Sequence, residues 1–220
     1  MRRAATLLAI PLILASGSAL KAQSPHMGFS LNVTVPTGAF NSTTYPANTS
    51  PFDQAPPLGV PQRETFDTGL GGSFTASFPM DRTLAIRLNL SGSSENGTNS
   101  APGYASVNLR HSIFSAGGDL QIFPQGTAFR HRGLYFVAGL SADFERFSTS
   151  QGNDPYYFPD SSANKSRLGG TLGLGHSFGY DAGMRFNLEA TFHKTLTGND
   201  VNAGDPPSAD FVKLGFGIVF

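Results

Sequence analysis

The residues of this chain that could do chemistry are two His-Ser neighbours, His111 with Ser112 and His176 with Ser177, and single charges set among Gly and Ser. A His beside a Ser suggests a base and a nucleophile. Consecutive residues on an extended strand point to opposite faces, however, so neither pair puts both groups on one surface, and Glu189 does not rescue them. The Gly-rich run 169–179 lacks the G-x-G-x-x-G spacing of a dinucleotide loop and no helix follows it. Asp200, Asn202 and Gly204 lack the bidentate acid that a calcium loop requires. With no Cys there is no thiolate zinc site, disulfide framework or cysteine-linked lipid. Fifteen basic against fifteen acidic residues leave no basic footprint for nucleic acid. The chain is therefore expected to be no enzyme and to carry no cofactor or metal.

What remains is a set of isolated charges, Arg87, Asp119, Asp143, Glu145, Arg167, Glu189 and Lys213, and the elements that hold them. The first 22 residues are not among those elements. Arg2 and Arg3 precede a short apolar run, Ala4 to Ala15, which leads into Ser16, Gly17, Ser18 and Ala19. That is the layout of a secretory signal peptide, and the run is too short for a spanning helix, which takes about 20 residues. Cleavage is expected after Ala22, with Ala19 as the alternative, which leaves residues 23–220 as one domain.

That domain is read as eight period-two segments. Met27, Phe29, Leu31, Val33 and Val35 alternate with Gly28, Ser30, Asn32 and Thr34 in the first. Phe66, Leu70, Phe74 and Phe78 mark the second, and Leu84, Ile86, Leu88 and Leu90 the third. The fourth runs from Val107 to Phe123, where Val107 and Leu109 are out of phase with Phe114, Ala116, Leu120 and Ile122, so a bulge is expected near residues 110–112. Leu134, Phe136, Leu140 and Phe144 mark the fifth, Leu168, Leu172, Leu174, Phe178 and Tyr180 the sixth, Met184, Phe186, Leu188 and Phe192 the seventh. Val212, Leu214, Phe216, Ile218 and Phe220 close the chain.

The apolar faces are rich in Phe and Leu, whereas the opposite faces hold Gly, Ser and the isolated charges. A soluble barrel would carry a dense coat of Lys and Glu outside, so the apolar face is assigned to lipid and the polar face to the lumen. Connections alternate between long (37–65, 93–106, 146–165, 196–210) and shorter (79–83, 124–133, 179–183), as in a bacterial outer-membrane barrel with short periplasmic turns. The fold class is all-β, an eight-stranded antiparallel transmembrane barrel in up-and-down meander order. An interior of that size is filled by side chains. Three internal pairings are expected: Arg87 with Asp119, Glu189 with Lys213, and Asp143 or Glu145 with Arg167. Tyr156, Tyr157 and Phe158, between Pro155 and Pro159, form an aromatic patch in an outer loop.

The ending in Phe220, with Gly215 and Gly217 facing inward, and the stretches 133–139 and 172–176 resemble the small OmpA/OmpX-type outer-membrane barrel family. The resemblance implies a protein of the bacterial outer membrane, exported by the general secretory route. It implies contact with membrane lipid and lipopolysaccharide, and a final aromatic, Phe220, read by the barrel assembly machinery. Members of that family often carry a peptidoglycan-binding domain after the barrel, and none is expected here. The function expected is structural or surface-interacting, through envelope integrity or loop-mediated adhesion to an unidentified partner. A narrow porin-like channel is the alternative. A lipid-modifying enzyme of the same fold is disfavoured by the His-Ser spacing.

Overall fold

Period-two segments leave every backbone N–H and C=O pointing sideways, and in a lipid phase only a ring of strands satisfies them all. The computed structural model closes such a ring, and it describes residues 24–48, 59–103, 106–150, 162–179, 183–197 and 206–220. Its strands are β1 (His26–Pro36), β2 (Ser42–Tyr45), β3 (Gln62–Phe66), β4 (Gly69–Pro79), β5 (Leu84–Ser100), β6 (Val107–Ile122), β7 (Gly133–Ser150), β8 (Ser162–Phe178), β9 (Arg185–Thr195) and β10 (Phe211–Val219). Eight of these, β1 and β4 to β10, pair antiparallel in chain order, and β10 returns to β1 through Gly28 opposite Val219 to Pro36 opposite Phe211. The fold is the eight-stranded antiparallel meander barrel that the alternation predicts. The expected export signal, residues 1–22, and Tyr156 to Phe158, Tyr180, Asp200, Asn202 and Gly204 lie outside the described residues.

The outer wall is apolar. Leu31 is 78% exposed and Leu70 73%, and Phe29, Leu88, Phe114, Phe136, Leu140, Leu172, Leu188 and Phe216 are all exposed around the ring. An aqueous surface would not present a belt of this kind, whereas a bilayer core is its natural solvent. The lumen is packed instead, and the glycines of the wall make room for it. A Cβ at Gly175 would run into the ring of Tyr135, and one at Gly169 into Asp143 and His193.

Two sequence expectations fail in instructive ways. β6 runs in continuous register with both neighbours, from Asn99 opposite Val107 to Leu84 opposite Ile122, so the bulge expected near 110–112 does not exist. Val107, Leu109 and Ile113 point into the lumen, because the outer end of the bore is filled by an apolar cluster of Phe40, Phe66, Leu109, Ile113, Phe147, Ala209 and Phe211. The bulge lies between β3 and β4. There Phe66 opposes Gly97 and Leu70 opposes Ser94, so four steps on one side meet three on the other, and Phe66 turns inward while Leu70 faces out.

The outer connections are also shorter than expected. β5 continues to Ser100, β7 to Ser150 and β8 begins at Ser162, each strand of 17 or 18 residues against the roughly 10 that cross a bilayer. Within the supposed first loop, the one-turn helix α1 (Gly38–Asn41) and the β2–β3 pair continue the wall beside β5. Strands β5 to β8 therefore stand above the apolar belt, while β9 and β10, of 11 and 9 residues, are low.

Candidate functional site

The lumen is organised in layers along the bore. Nearest the short turns, Ala85, Phe123, Ala128, Tyr135 and Val137 form an apolar floor. His131 lies in it, on the connection between β6 and β7 just after a short 3-10 turn, Ala128–Arg130. Its Nδ1 lies 3.1 Å from Ser177 Oγ, Gln121 approaches its Nε2, and the Ser77 hydroxyl donates to Gln121 at 2.8 Å. Sequence reasoning missed this contact, because it joins a turn residue to a strand 46 positions away. A hydroxyl beside an imidazole is nucleophile-and-base chemistry in principle. Here Ser177 and His131 are both buried inside the closed end, so the pair serves to pack the floor.

His131 makes the floor sensitive to acid. Burial, reinforced by His26 and Arg87, holds its pKa down to about 3 from the ordinary 6.5. A depressed value means that the native state refuses a proton that the unfolded chain accepts. Stability is thus complete above pH 6.5 and falls as the pH drops from 6.5 towards 3, by about 1.4 kcal/mol per pH unit. Urea unfolding in micelles at pH 7.5 and pH 5 should therefore show the wild type losing roughly 2 kcal/mol more than His131→Gln. Equal losses in the two proteins would remove His131 from the account.

Above the floor, the charges expected in the lumen come together, although not all in the pairs expected. Arg87 and Asp119 face each other in register on β5 and β6, and Arg87 Nε donates to Asp119 Oδ2 at 2.8 Å. The rest of the same guanidinium crosses the bore to Glu189, with Nη1 on Oε2 and Nη2 on Oε1 at 3.1 Å. The Tyr135 hydroxyl donates to Glu189 at 2.9 Å. The pairing of Glu189 with Lys213 is thus corrected: Arg87 takes the carboxylate, because a side chain that spans the bore reaches further than hairpin neighbours suggest. Lys213 instead borders two small polar cavities of about 20 Å³ each, which share Asn32, Asn89 and Lys213 in their walls. Asn32 Nδ2, Asn89 Oδ1 and Thr191 Oγ1 are buried there without a protein partner. Each space has room for about one water, the natural partner of such groups.

The upper layer is a second charged cluster beneath the aromatic cap. Glu95 Oε2 takes the His111 Nδ1 hydrogen at 2.7 Å, and Glu95 Oε1 accepts from Thr34 and Ser93, both at 2.7 Å. Asp143 lies 3.0 Å from His193, not from Arg167. Arg167 takes Glu145 at 3.0 Å and donates to the carbonyls of Pro206 and Pro207 at 2.7 and 2.8 Å, tying the segment before β10 into the bore. Sequence reasoning misses Glu95, in an expected loop, and His193, at a strand end, and it takes His111 only as the neighbour of Ser112. The available signal is parity along each strand, since Glu95 shares a face with Arg87, His111 with Asp119 and His193 with Glu189. His176 faces outward and packs on Phe178. Phe220, 57% exposed, closes the barrel seam, where its backbone and that of Met27 exchange both hydrogen bonds.

Comparison with known proteins gives a likeness of fold. The chain is similar to the outer membrane protein OprG of Pseudomonas aeruginosa, with 13% identity over 90% of this chain and 97% of that one and a TM-score of 0.53. It is also similar to Ail, the attachment invasion locus protein of Yersinia pestis (9% identity, 90% and 98% covered, TM-score 0.48). Neisserial surface protein A matches as well (11%, 91% and 98%, TM-score 0.44). No family model and no curated protein sequence matches.

Proposed function

We propose that this chain is a small integral protein of the bacterial outer membrane whose barrel is a closed scaffold and whose work is structural or done at its outer surface. Residues 1–22 act as the export signal for the general secretory route, and Phe220 at the seam is the feature offered to the barrel assembly machinery. The partners are the lipid and lipopolysaccharide around the wall and a ligand of the outer segments, where Tyr156, Tyr157 and Phe158 supply an aromatic patch. No catalytic role is assigned.

The observation that carries this reading is the stacked closure of the bore. The Arg87, Asp119 and Glu189 layer lies over the Phe123 and Tyr135 floor at one end, and the Phe40, Phe66, Phe147 and Phe211 cluster lies over the Glu95 and Glu145 layer at the other. The cavities between them have room for about one water each. The rival is a narrow channel, and the wall residues shared by those two cavities favour it. Planar-bilayer recording of the refolded barrel decides the matter. The closed scaffold is expected to give no steady conductance steps at neutral pH, and reproducible steps whose ion preference changes in Lys213→Glu would replace it with the channel.

A further inference from the structure

In the outer half of the wall Glu64, Glu95, Asp143 and Glu145 are buried within the barrel together with Arg167, whereas Arg63, Arg110, Arg146 and Lys194 are exposed, as is Asp67. Lys194 has Asp210 at 3.7 Å, and Arg63 donates to Ser42 at the start of β2. Arg110 and Arg146 differ from both, because among the described residues neither has a carboxylate within 4.0 Å.

The register makes these two a pair. Arg110 opposes Ser148 and Arg146 opposes Ser112, so the arginines are diagonal neighbours on one face of the β6–β7 ladder. Diagonal side chains start roughly 7 Å apart, within reach of each other for groups this long. Arg110 is held from behind by Ser94, whose hydroxyl accepts from Nε at 3.1 Å and lies 3.3 Å from the Ser112 hydroxyl, so its two terminal amino groups are left for a ligand. One step down the same face, Phe114 opposes Phe144 with ring centroids 6.4 Å apart, both half exposed. That aromatic pair is the upper edge of the apolar belt on these strands. From the bilayer outward the order is therefore aromatic pair, then two guanidinium forks that meet no carboxylate among the described residues, with hydroxyls between them.

We propose that Arg110 and Arg146 form a binding site for the phosphate of an outer-leaflet lipid, whose acyl chain lies against Phe114 and Phe144. A guanidinium offers paired N–H donors that match two phosphate oxygens, and two of them facing sideways at headgroup height suit a phosphate carried on a lipid better than a soluble anion. Charge complementarity and height select this occupant. The site rests on the reading that the barrel spans the outer membrane with β5 to β8 rising outward.

Native mass spectrometry of the refolded barrel in detergent, titrated with bisphosphorylated lipid A, tests the site. Arg110→Gln/Arg146→Gln should bind about tenfold more weakly or worse, and Arg110→Lys/Arg146→Lys should fall between, since charge survives but the fork does not. Arg82→Gln/Arg130→Gln removes equal charge at the opposite rim and should bind as the wild type does. Lipid A stripped of its phosphates should not distinguish the variants. The proposal fails if the double Gln variant binds normally, if the opposite-rim variant loses as much, or if equimolar inorganic phosphate displaces the lipid. Insertion into phospholipid vesicles is measured on the same samples. A wild-type chain that inserts without phosphate discrimination overturns this site alone, whereas one that does not insert overturns the membrane reading together with the site.

Discussion

Replacing Arg87 by Met will destabilise the barrel by about 3–5 kcal/mol, the cost typical of removing one partner from a buried ion pair. The reason is the number of carboxylates that depend on it. Asp119 and Glu189 both direct their charge at this single guanidinium, and their side chains are 5% and 12% exposed. Without it, two negative groups share a packed lumen, with only the Tyr135 hydroxyl still donating to Glu189. Glu189→Gln should be milder, because Arg87 keeps Asp119 at 2.8 Å. The triple variant Arg87→Met/Asp119→Asn/Glu189→Gln should recover most of the loss, since it removes the stranded charges along with their partner. Lys213 borders the same cavity as Glu189 and is positioned to take over part of the pairing, so Arg87→Met/Lys213→Met should be the least stable of the series. Urea unfolding in micelles followed by far-ultraviolet circular dichroism ranks the five proteins. A loss below about 1 kcal/mol for Arg87→Met would mean that the lumen is wet enough to solvate the acids, and the closed scaffold would fall with it.

The sequence makes some of this arrangement legible and hides the rest for reasons of geometry. Period two states which residues share a face, so the inward placement of Arg87, Asp119, Glu189 and Lys213 follows from parity alone. Hairpin neighbours follow too, and Arg87 does oppose Asp119. Contacts across the bore do not follow, because they depend on how strands curl round the ring, and so the sequence matches Glu189 to Lys213 on its own hairpin and not to Arg87 on the far wall. The rule that apolar means outward holds only along the bilayer. Above it, Leu109, Ile113 and Phe66 turn inward to cluster with Phe40, brought into the bore by a helical turn that the sequence shows only as a loop. A change of rule looks like a change of phase, and that is why the alternation suggests a bulge in β6 and none between β3 and β4, where it lies. His131 lay hidden for a different reason: turns carry no periodicity from which to infer a direction.

The second large effect belongs to the other end of the bore. Arg167→Met removes one guanidinium that does two separable jobs. It neutralises Glu145 at 3.0 Å, and it binds the carbonyls of Pro206 and Pro207, which have no N–H of their own with which to join a ladder. The first loss leaves a buried carboxylate without its guanidinium, so about 3 kcal/mol of stability should go. The second loss frees the segment that leads into β10 and lays Ala209 and Phe211 against the aromatic cap. Arg167→Met/Glu145→Gln separates the two. The double variant should regain most of the urea stability, because no charge is stranded, yet the carbonyls still lack their donor. Subtilisin added to reconstituted vesicles should therefore cut near Pro206 several-fold faster in both the single and the double variant than in the wild type, since local opening governs cleavage there. If the double variant recovers both its stability and its protease resistance, the carbonyl contacts anchor nothing. If it recovers neither, Glu145 was never the group that Arg167 neutralises.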